Sequence, residues 1–437
     1  MSALPLRFFT PFPKRFSLRR GTPPDKSQLL AHIGSILTPF LLIFTCSDGP
    51  RGRQGGAGIG SYAYGWFLEN VISARVVLTD GEIKEFTGKD LELISDAEGT
   101  TGIISQVAIQ VMKREELGLT AIACPDAHRL TTVFQEFISR ALPLWSVVFI
   151  NPRMAEMKNR AADRDKVVSQ LPDILHDCMG EILSPEIAEH EWANRFKLMV
   201  VKRLGPSLVP AEIVVPLESL GKVMEEIEHR INQPIVKEGV IIRTGRDGKP
   251  EAVILGFIPS DQRKFSYNFV FGLVLSIIKV AEKYGGRPYS TGLYFVRKAQ
   301  KILGEDRALR LKAFQKKIDR KRILNPGKVV QLNLVSRALG IAKIFEPLVR
   351  PFGNIVVAQV GERIGAKPIR GIPADVAWYA YACSQCGYCV DECDQFYGRG
   401  WESQSPRGKW YWLREFLEGR AEWDQKMVDT LLNFCPV

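Results

Sequence analysis

Apolar and polar residues alternate over a stretch that begins near residue 54, and this alternation predicts β-strands. Two apolar runs, residues 76–79 and 83–86, flank Asp80-Gly81-Glu82, which is typical of a hairpin turn. Residues 103–112 alternate in the same way and predict a half-buried strand. The block after residue 54 is therefore predicted to be rich in β-structure.

Residues 114–330 mix the two periodicities. Strands are predicted at 212–216, 239–244 and 252–258, the last two forming a hairpin, and helices at 131–142, 217–230 and 269–284. A charged helix pair over 299–323 is predicted to stop at Asn325-Pro326-Gly327. This order favours an antiparallel sheet with helices on one face, a fold of the α+β class. Residues 331–372 contain only short helical stretches and are interpreted as a connecting segment.

Composition limits the class of protein. With 437 residues, 46% hydrophobic and 24% charged, the chain is not typical of disordered, collagen-like or coiled-coil proteins, and two or three domains are expected. The formal charge is +11, but residues 1–53 hold eight Lys/Arg against two Asp, so the remaining 384 residues carry +5. No concentrated basic face is indicated, and nucleic-acid binding is not expected.

An apolar run at residues 29–46 follows Arg19 and Arg20 and is interrupted by His32 and Pro39. It is a poor transmembrane candidate, since a spanning helix needs about 20 apolar residues. An export or lipoprotein signal stays open as an alternative. The expected location is cytoplasmic, either soluble or peripheral at the inner face of the membrane.

Clustered cysteines give the strongest chemical signal. Cys383, Cys386, Cys389 and Cys393 are separated by two, two and three residues, a spacing typical of 4Fe–4S ligation, and a structural zinc site is the alternative. Cys435 is a further candidate ligand. One cluster needs four thiolates, so the first three cysteines would be joined by either Cys393 or Cys435. A complete second cluster is not expected from this chain alone.

Residues 55–65 contain five glycines. Glycine lets backbone N–H groups approach a phosphate closely, so this loop is a candidate anion-binding turn. It does not open a strand–loop–helix unit, and a Rossmann dinucleotide fingerprint is therefore not favoured.

Together with Glu98-Gly99-Thr100-Thr101-Gly102-Ile103-Ile104, this loop is similar to the second half of the PCMH-type FAD-binding domain of FAD-linked oxidases, the group that contains glycolate oxidase and D-lactate dehydrogenase. The resemblance implies that residues 60–65 pass the flavin diphosphate and that residues 98–104 lie against the adenosine side. The implied FAD contacts are Gly58, Gly60, Ser61, Tyr64, Gly65, Glu98, Gly102, Ile103 and Ile104.

The resemblance continues along the chain. Residues 285–292 and 324–329 resemble the end of the substrate-capping domain. Tyr267, Asn268 and Tyr289 are candidates to line a pocket of the cap, and ordinary packing is the alternative. Residues 383–435, including Ser405-Pro406-Arg407-Gly408, resemble the iron–sulfur module of glycolate oxidase subunits and heterodisulfide reductases. The predicted domains are an atypical segment 1–53, the second half of an FAD domain 54–113, an antiparallel-sheet cap 114–330, the connecting segment 331–372, and a mainly helical 4Fe–4S module 373–437.

Two departures from the family matter. The family has a further subdomain with another glycine-rich diphosphate loop before residue 54, so we expect a truncated gene product or a missing half supplied by another chain. Hydroxyacid members carry histidines late in the cap, whereas the last histidine here is His229. The catalytic base therefore stays unassigned.

The resemblance implies a 2-hydroxyacid dehydrogenase with FAD and a 4Fe–4S cluster. Its partners would be a small 2-hydroxyacid and an external electron acceptor, either a quinone, a cytochrome or another iron–sulfur subunit. An iron–sulfur carrier with a vestigial flavin site and a non-functional remnant are the alternatives. Six aromatic residues are predicted either to shield the cluster or to form ordinary core packing: Trp401, Trp410, Tyr411, Trp412, Phe416 and Trp423.

Overall fold

The computed structural model covers the whole chain and describes part of it. The described residues are 56–111, 118–151, 181–183, 185–193, 207–232, 235–245, 248–260, 267–355, 370–383, 388–391 and 393–432. The predicted segment 1–53 lies outside these residues.

A small antiparallel sheet follows the glycine-rich segment. Its strands are β1 (Val71–Val77), β2 (Ile83–Thr87) and β3 (Ile103–Ile109), in the order β2-β1-β3. The predicted hairpin is confirmed, since Leu78 N donates to Glu82 O at 2.9 Å to close the turn. One face of the sheet forms a core around Ala74, Val76 and Phe86.

A second sheet has five strands, in the order β10-β7-β9-β8-β5, with antiparallel neighbours throughout. Its strands are β5 (Val148–Ile150), β7 (Ser207–Pro216), β8 (Val236–Ile242), β9 (Glu251–Ser260) and β10 (Arg287–Pro288). A separate two-stranded pair joins β4 (Ile122–Ala123) to β6 (Glu181–Ile182).

Helices cover one face of this sheet, as predicted. They include α2 (Ala127–Ser139), α4 (Leu220–Arg230) and α5 (Tyr267–Lys283), whose apolar residues share a core with Ile213 and Val215 of β7. Helix α2 begins before the predicted residue 131, because Asp126 accepts hydrogen bonds from His128 N and Arg129 N at 2.8 Å and caps the helix. Two short helices, α1 (Ser61–Tyr64) and α3 (Pro185–Ala193), precede β1 and β7.

The chain then returns to the small sheet. The predicted helix pair consists of α6 (Ala299–Leu303) and α7 (Glu305–Ile318), and Phe314 of α7 packs edge-on against Phe86 at 5.7 Å between ring centroids. Phe314 and Ile318 thereby complete the core of the small sheet.

The predicted connecting segment holds one long helix rather than several short stretches. Helix α8 (Leu334–Ile355) contains 22 residues, with Pro347 and Pro351 in its interior, and packs on α5. Glu346 of α8 accepts hydrogen bonds from Ser276 and from Lys279 (2.6 Å), so tertiary contacts hold the helix despite two residues that remove backbone donors.

The carboxyl-terminal region is helical where it is described. Its helices are α9 (Ala374–Ala382), α10 (Tyr388–Asp391), α11 (Asp394–Arg399), α12 (Pro406–Leu417) and α13 (Gln425–Leu432). Helices α9 and α12 share a small core that includes Ala380, Tyr381 and Leu413. The α+β fold class, with antiparallel sheets and a helical carboxyl-terminal region, is confirmed. Within the described residues, no helix combines the length and apolar character needed to cross a bilayer.

Candidate functional site

The glycine-rich segment forms a tight turn that leads into α1. Gly58 N donates to Ser61 Oγ at 2.8 Å, and Ser61 N donates to Gly58 O at 3.0 Å, so the side chain and the backbone of Ser61 both close the turn. Tyr64 and Gly65 lie at the end of this single helical turn, where Gly65 N donates to Ser61 O. The predicted FAD-contacting residues of this segment are thus gathered in one compact loop, with Gly60 at the N-cap of α1.

Tyr289 joins this loop from the far end of the cap. Its hydroxyl oxygen accepts a hydrogen bond from Ala57 N at 2.8 Å, across 232 positions of sequence. Its ring lies 6.0 Å from that of Trp66, and both rings pack with Ala57 and Val214 on the side of the five-stranded sheet opposite the helices. The candidate pocket residue therefore contacts the glycine-rich segment directly.

The second predicted FAD segment, residues 98–104, contacts the motifs at 285–292 and 324–329. The buried carboxylate of Glu98 lies 3.5 Å from Lys328 Nζ, and its carbonyl accepts a hydrogen bond from Asn325 Nδ2. A Cβ placed on Gly292 would lie 3.5 Å from Glu98 Oε1. Residues 289–292 thus connect the loop at Ala57 to the segment at Glu98, and we call this meeting point the junction.

Gly102, Ile103 and Ile104 lie at the start of β3. Gly102 has φ +135°, and a Cβ there would lie 2.5 Å from Val76 Cγ1 and 2.7 Å from Val77 O, so β1 approaches too closely for any side chain. Ile103 is 51% exposed, whereas Ile104 is half-buried against the core of the small sheet. The structure therefore gives Gly102 and Ile104 a packing role.

A buried ion pair, which the sequence reasoning missed, borders the junction. Arg287 donates to both carboxylate oxygens of Glu251, at 2.5 and 3.1 Å. Arg287 stands within the quoted motif at 285–292, and this was the available signal. Partial burial raises the pKa of nearby Glu69, a hydrogen bond from Trp66 N opposes this, and the charge of Glu251 adds to the rise. Burial also raises the pKa of Tyr62, with the guanidinium of Arg243 opposing it.

The polar groups at the junction test whether it suits a flavin nucleotide. The amides of Ala57 and Gly58 already donate to protein oxygens. Within the described residues, Tyr62 Oη, Trp66 Nε1 and Thr291 Oγ1 are buried and make no hydrogen bond. Because buried polar atoms are nearly always hydrogen-bonded, Trp66 and Thr291 fit a polar ligand at the junction better than the two amides do. Tyr62 packs in the core on the helix-covered face of the five-stranded sheet, away from Trp66 and Tyr289.

The carboxyl-terminal cysteines lie at the boundaries of short helices. Cys383 follows the last residue of α9 and donates its N–H to Tyr379 O at 3.0 Å, Cys389 lies in α10, and Cys393 is the N-cap of α11. Cys393 is buried, and the other two are half-buried. Cys386 and Cys435 lie outside the described residues. In the described ranges, no three His, Cys, Asp or Glu side chains converge as metal ligands, so the four-thiolate set stays a prediction.

The motif at residues 405–408 forms the N-terminal cap of α12. Ser405 Oγ accepts a hydrogen bond from Gly408 N at 3.2 Å and caps α12, and Pro406 occupies its first turn. A Cβ on Gly408 would lie 2.2 Å from Glu402 O, so this position has room only for glycine.

The predicted aromatic residues divide into two groups. Trp410 and Phe416 pack against the small core of α9 and α12, and Phe416 also contacts Trp423 at 5.1 Å between centroids. Trp401, Tyr411, Trp412 and Trp423 are exposed, at 71%, 42%, 40% and 44%. The structure therefore supports core packing for the first group, and the cluster-shielding role stays a prediction.

Comparison with known families identifies the carboxyl-terminal region. Residues 382–435 match the family described as a 4Fe-4S dicluster domain. This range includes all five cysteines predicted as ligands.

Comparison with known proteins gives relatives for the larger part of the chain. It is 23% identical over 343 residues to the mitochondrial D-lactate dehydrogenase [cytochrome] of Arabidopsis thaliana, covering 68% of this chain and 60% of that protein. The corresponding enzyme of Kluyveromyces lactis is 22% identical, with 67% and 59% covered. Alkyldihydroxyacetonephosphate synthase is a structural match with a TM-score of 0.44 and 15% identity, covering 65% of this chain and 56% of that one.

The chain spans about 60% of the length of the curated relatives it matches. The predicted resemblance and the predicted cofactors, FAD and a 4Fe–4S cluster, are confirmed at the level of family likeness. The chain thus carries a 4Fe–4S domain at its carboxyl end and is similar, over 68% of its length, to a D-lactate dehydrogenase of the cytochrome type.

Proposed function

We propose that this protein is a FAD-linked oxidoreductase of the 2-hydroxyacid dehydrogenase type, with glycolate or D-lactate as model substrates. Electrons from the substrate leave through the 4Fe–4S domain to an external acceptor, either a quinone, a cytochrome or another iron–sulfur subunit. The observation that carries the proposal is the presence, in one chain, of the 4Fe–4S domain and a region similar to D-lactate dehydrogenases. We propose a cytoplasmic location, either soluble or peripheral at the inner face of the membrane.

The junction supports a nucleotide-binding role. The segments that carry the resemblance are far apart in sequence, yet Tyr289 touches the glycine-rich loop while Lys328 and Asn325 touch Glu98. The buried side chains of Trp66 and Thr291 are the groups we assign to hold the ligand there. When bound, FAD supplies two-electron oxidation chemistry and the cluster supplies one-electron transfer.

The residues of this chain would bind and orient the flavin and the substrate. Both terminal nitrogens of the Arg287 guanidinium donate to the Glu251 carboxylate. This bidentate pair holds Arg287 in place beside the junction, and its charge is not free to bind a substrate. Glu69, with its raised pKa, is a group that could hold a proton beside this pair.

The test uses the full chain, purified without oxygen and supplied with FAD, iron and sulfide. We expect a flavin absorption band that bleaches on addition of D-lactate or glycolate, and a reduced cluster visible by electron paramagnetic resonance. Cys386→Ser should abolish the cluster signal, whereas Cys124→Ser, outside the carboxyl-terminal domain, should leave it intact. Zinc in place of iron, or no flavin bound under any of these preparations, would overturn the proposal.

A second candidate is an electron carrier in which the flavin site is vestigial or shared with another chain. The engaged amides of Ala57 and Gly58 favour it, since neither is available to a phosphate. Iron–sulfur absorption with no flavin band, and no response to either hydroxyacid, would select the carrier over the dehydrogenase.

A further inference from the structure

Helix α8 exposes a continuous apolar surface. Seven large apolar side chains of this helix are between 40% and 80% exposed: Leu334, Val335, Ile341, Ile344, Phe345, Leu348 and Phe352. Single exposed apolar residues are ordinary, but contiguous patches beyond a few hundred Å² are uncommon in monomeric soluble proteins and mark interaction sites. The sequence reasoning treated this region as a connection and assigned it no role.

The positions of these residues make one stripe. Ile341, Ile344, Phe345, Leu348 and Phe352 are separated by three, one, three and four residues, which places them on the same face of an α-helix. The neighbouring side of α8 is held against α5, where Glu346 accepts from Ser276 and Lys279. The helix therefore cannot rotate its apolar stripe inward without breaking these buried contacts.

A basic groove runs beside the stripe. It has a volume of about 640 Å³ and is formed where α8 meets the end of α4 and the middle of α5. Its lining contains Arg230, Lys279 and Arg350 against one carboxylate, Glu346. Lys279 lies 2.6 Å and Arg350 3.9 Å from that carboxylate, and Arg230 is paired with Glu226 at 2.5 Å. Two carboxylates, Glu346 of the lining and Glu226 behind Arg230, therefore face three permanent cations, and the groove keeps one net positive charge.

We propose that α8 docks this protein on an anionic phospholipid surface. The apolar stripe would lie at the boundary between headgroups and acyl chains, and the groove would take a headgroup phosphate. Interfacial helices bind through apolar area together with attraction of Lys and Arg to anionic lipid, and α8 and its groove supply both. The proposal deepens the membrane-peripheral location included in the proposed function, but its test measures lipid binding and is independent of the redox chemistry.

The charge of α8 favours an anionic bilayer over a second copy of the chain as the partner of this surface. The sequence of α8 contains Arg337, Lys343 and Arg350 but a single acid, Glu346, which is buried and paired. In a symmetric dimer two copies of this net-positive helix would be brought together, which like charge disfavours. An anionic bilayer offers the opposite charge across the whole surface.

The test is co-sedimentation of the full chain with vesicles. Wild type should bind vesicles of phosphatidylcholine with phosphatidylglycerol at least about tenfold more tightly than vesicles of phosphatidylcholine alone. Arg350→Gln should weaken binding about fivefold, and the double variant Ile344→Ser/Leu348→Ser at least about tenfold, since each exposed apolar side chain contributes buried area.

Matched controls test the location of the surface. Ile83→Ser removes an equally exposed apolar residue from β2, and Lys316→Gln removes an exposed cation from α7. Both should bind vesicles as wild type does. All the altered positions lie at or near the surface, so unchanged circular dichroism is expected and would show that lost binding is not lost folding.

Four results would overturn the proposal. One is equal binding to neutral and anionic vesicles, and another is undiminished binding by both α8 variants, which would place the lipid contact elsewhere. The third is a dimer in analytical ultracentrifugation that dissociates in the Ile344→Ser/Leu348→Ser variant, because α8 would then face a second copy. The fourth is binding of millimolar inorganic phosphate by a protein that binds neither kind of vesicle, because the groove would then hold a free anion.

Discussion

Individual residues in this protein are constrained by space as much as by chemistry. Gly102 was predicted as a flavin contact because of the motif around it, yet β1 lies so close that no side chain would fit. Gly408 is constrained in the same way by the carbonyl of Glu402. The motifs could be identified from the sequence, but these close backbone contacts could not. Val76 is 26 positions from Gly102 in the chain, and only the pairing of β1 with β3 brings the two together.

At this scale we predict that Gly102→Ala destabilises the protein by about 2 kcal/mol or more. The substitution adds a clash with Val76 Cγ1 to a left-handed backbone that L-residues rarely adopt. Thermal unfolding followed by circular dichroism would measure the loss. Gly118→Ala is the matched control, because nothing lies within 4 Å of its added Cβ, and it should change stability by no more than about 0.5 kcal/mol. Equal effects of the two changes would contradict the packing argument.

Among elements, those with clean periodicity could be predicted and those held by tertiary contacts could not. The hairpin at Asp80-Gly81 and helices α4 and α5 follow their apolar spacing closely. Helix α8 was not predicted as one element, because Pro347 and Pro351 are breakers in any local analysis. Glu346 of this helix bonds Ser276 and Lys279, which are about 70 residues away in sequence. These tertiary contacts outweigh the helix-breaking tendency of the two prolines.

Glu226 links two of the predicted helices, and its protonation should weaken that link. Burial opposes its ionisation, but hydrogen bonds from Lys283 and Tyr284 and the charge of Arg230 outweigh burial and lower its pKa from 4.5 to about 2. Because the folded-state pKa is the lower one, the stabilisation is present above pH 4.5 and is lost as the pH falls towards 2.

Glu226→Gln should therefore lower the thermal midpoint by about 2–4 °C at neutral pH, and the gap from wild type should close as the medium is acidified. Thermal scans over a pH series would measure it. Glu136→Gln, which removes an exposed pair with Arg140 inside α2, serves as the control and should show no comparable gap. A difference between Glu226→Gln and wild type that stays constant down to pH 2 would contradict the assignment.

On the scale of the whole molecule, the residues after the cap return to the small sheet and hold it. Arg307 of α7 donates to Ser95 O at 2.8 Å, to Glu92 O at 3.1 Å and to Asp96 Oδ2 at 3.0 Å. The sequence predicted a charged helix pair here, but not that α7 would pack on residues more than 200 positions earlier. Only the folded chain shows that the two regions share one core.

We predict that Arg307→Ala loosens the small sheet, at a cost of roughly 2 kcal/mol, because it leaves two carbonyls and a carboxylate without their donor. Hydrogen exchange followed by mass spectrometry should show faster exchange in β1, β2 and β3. Lys312→Ala, an exposed position of the same helix, should leave those rates unchanged. Protection that is equal in the two variants would show that α7 is not what holds the sheet.

The large sequence separation between Tyr289 and Ala57 has a consequence for folding during synthesis. The glycine-rich segment leaves the ribosome before its partner, because the hydroxyl that binds Ala57 N follows 232 residues later, and Gln315 binds Thr100 across 215 residues. At about 5–20 residues per second, the loop waits roughly 10 to 50 seconds for its partner. The earliest part of the described chain is therefore among the last to be completed during synthesis, and in that interval a chaperone would find its unburied aromatic rings.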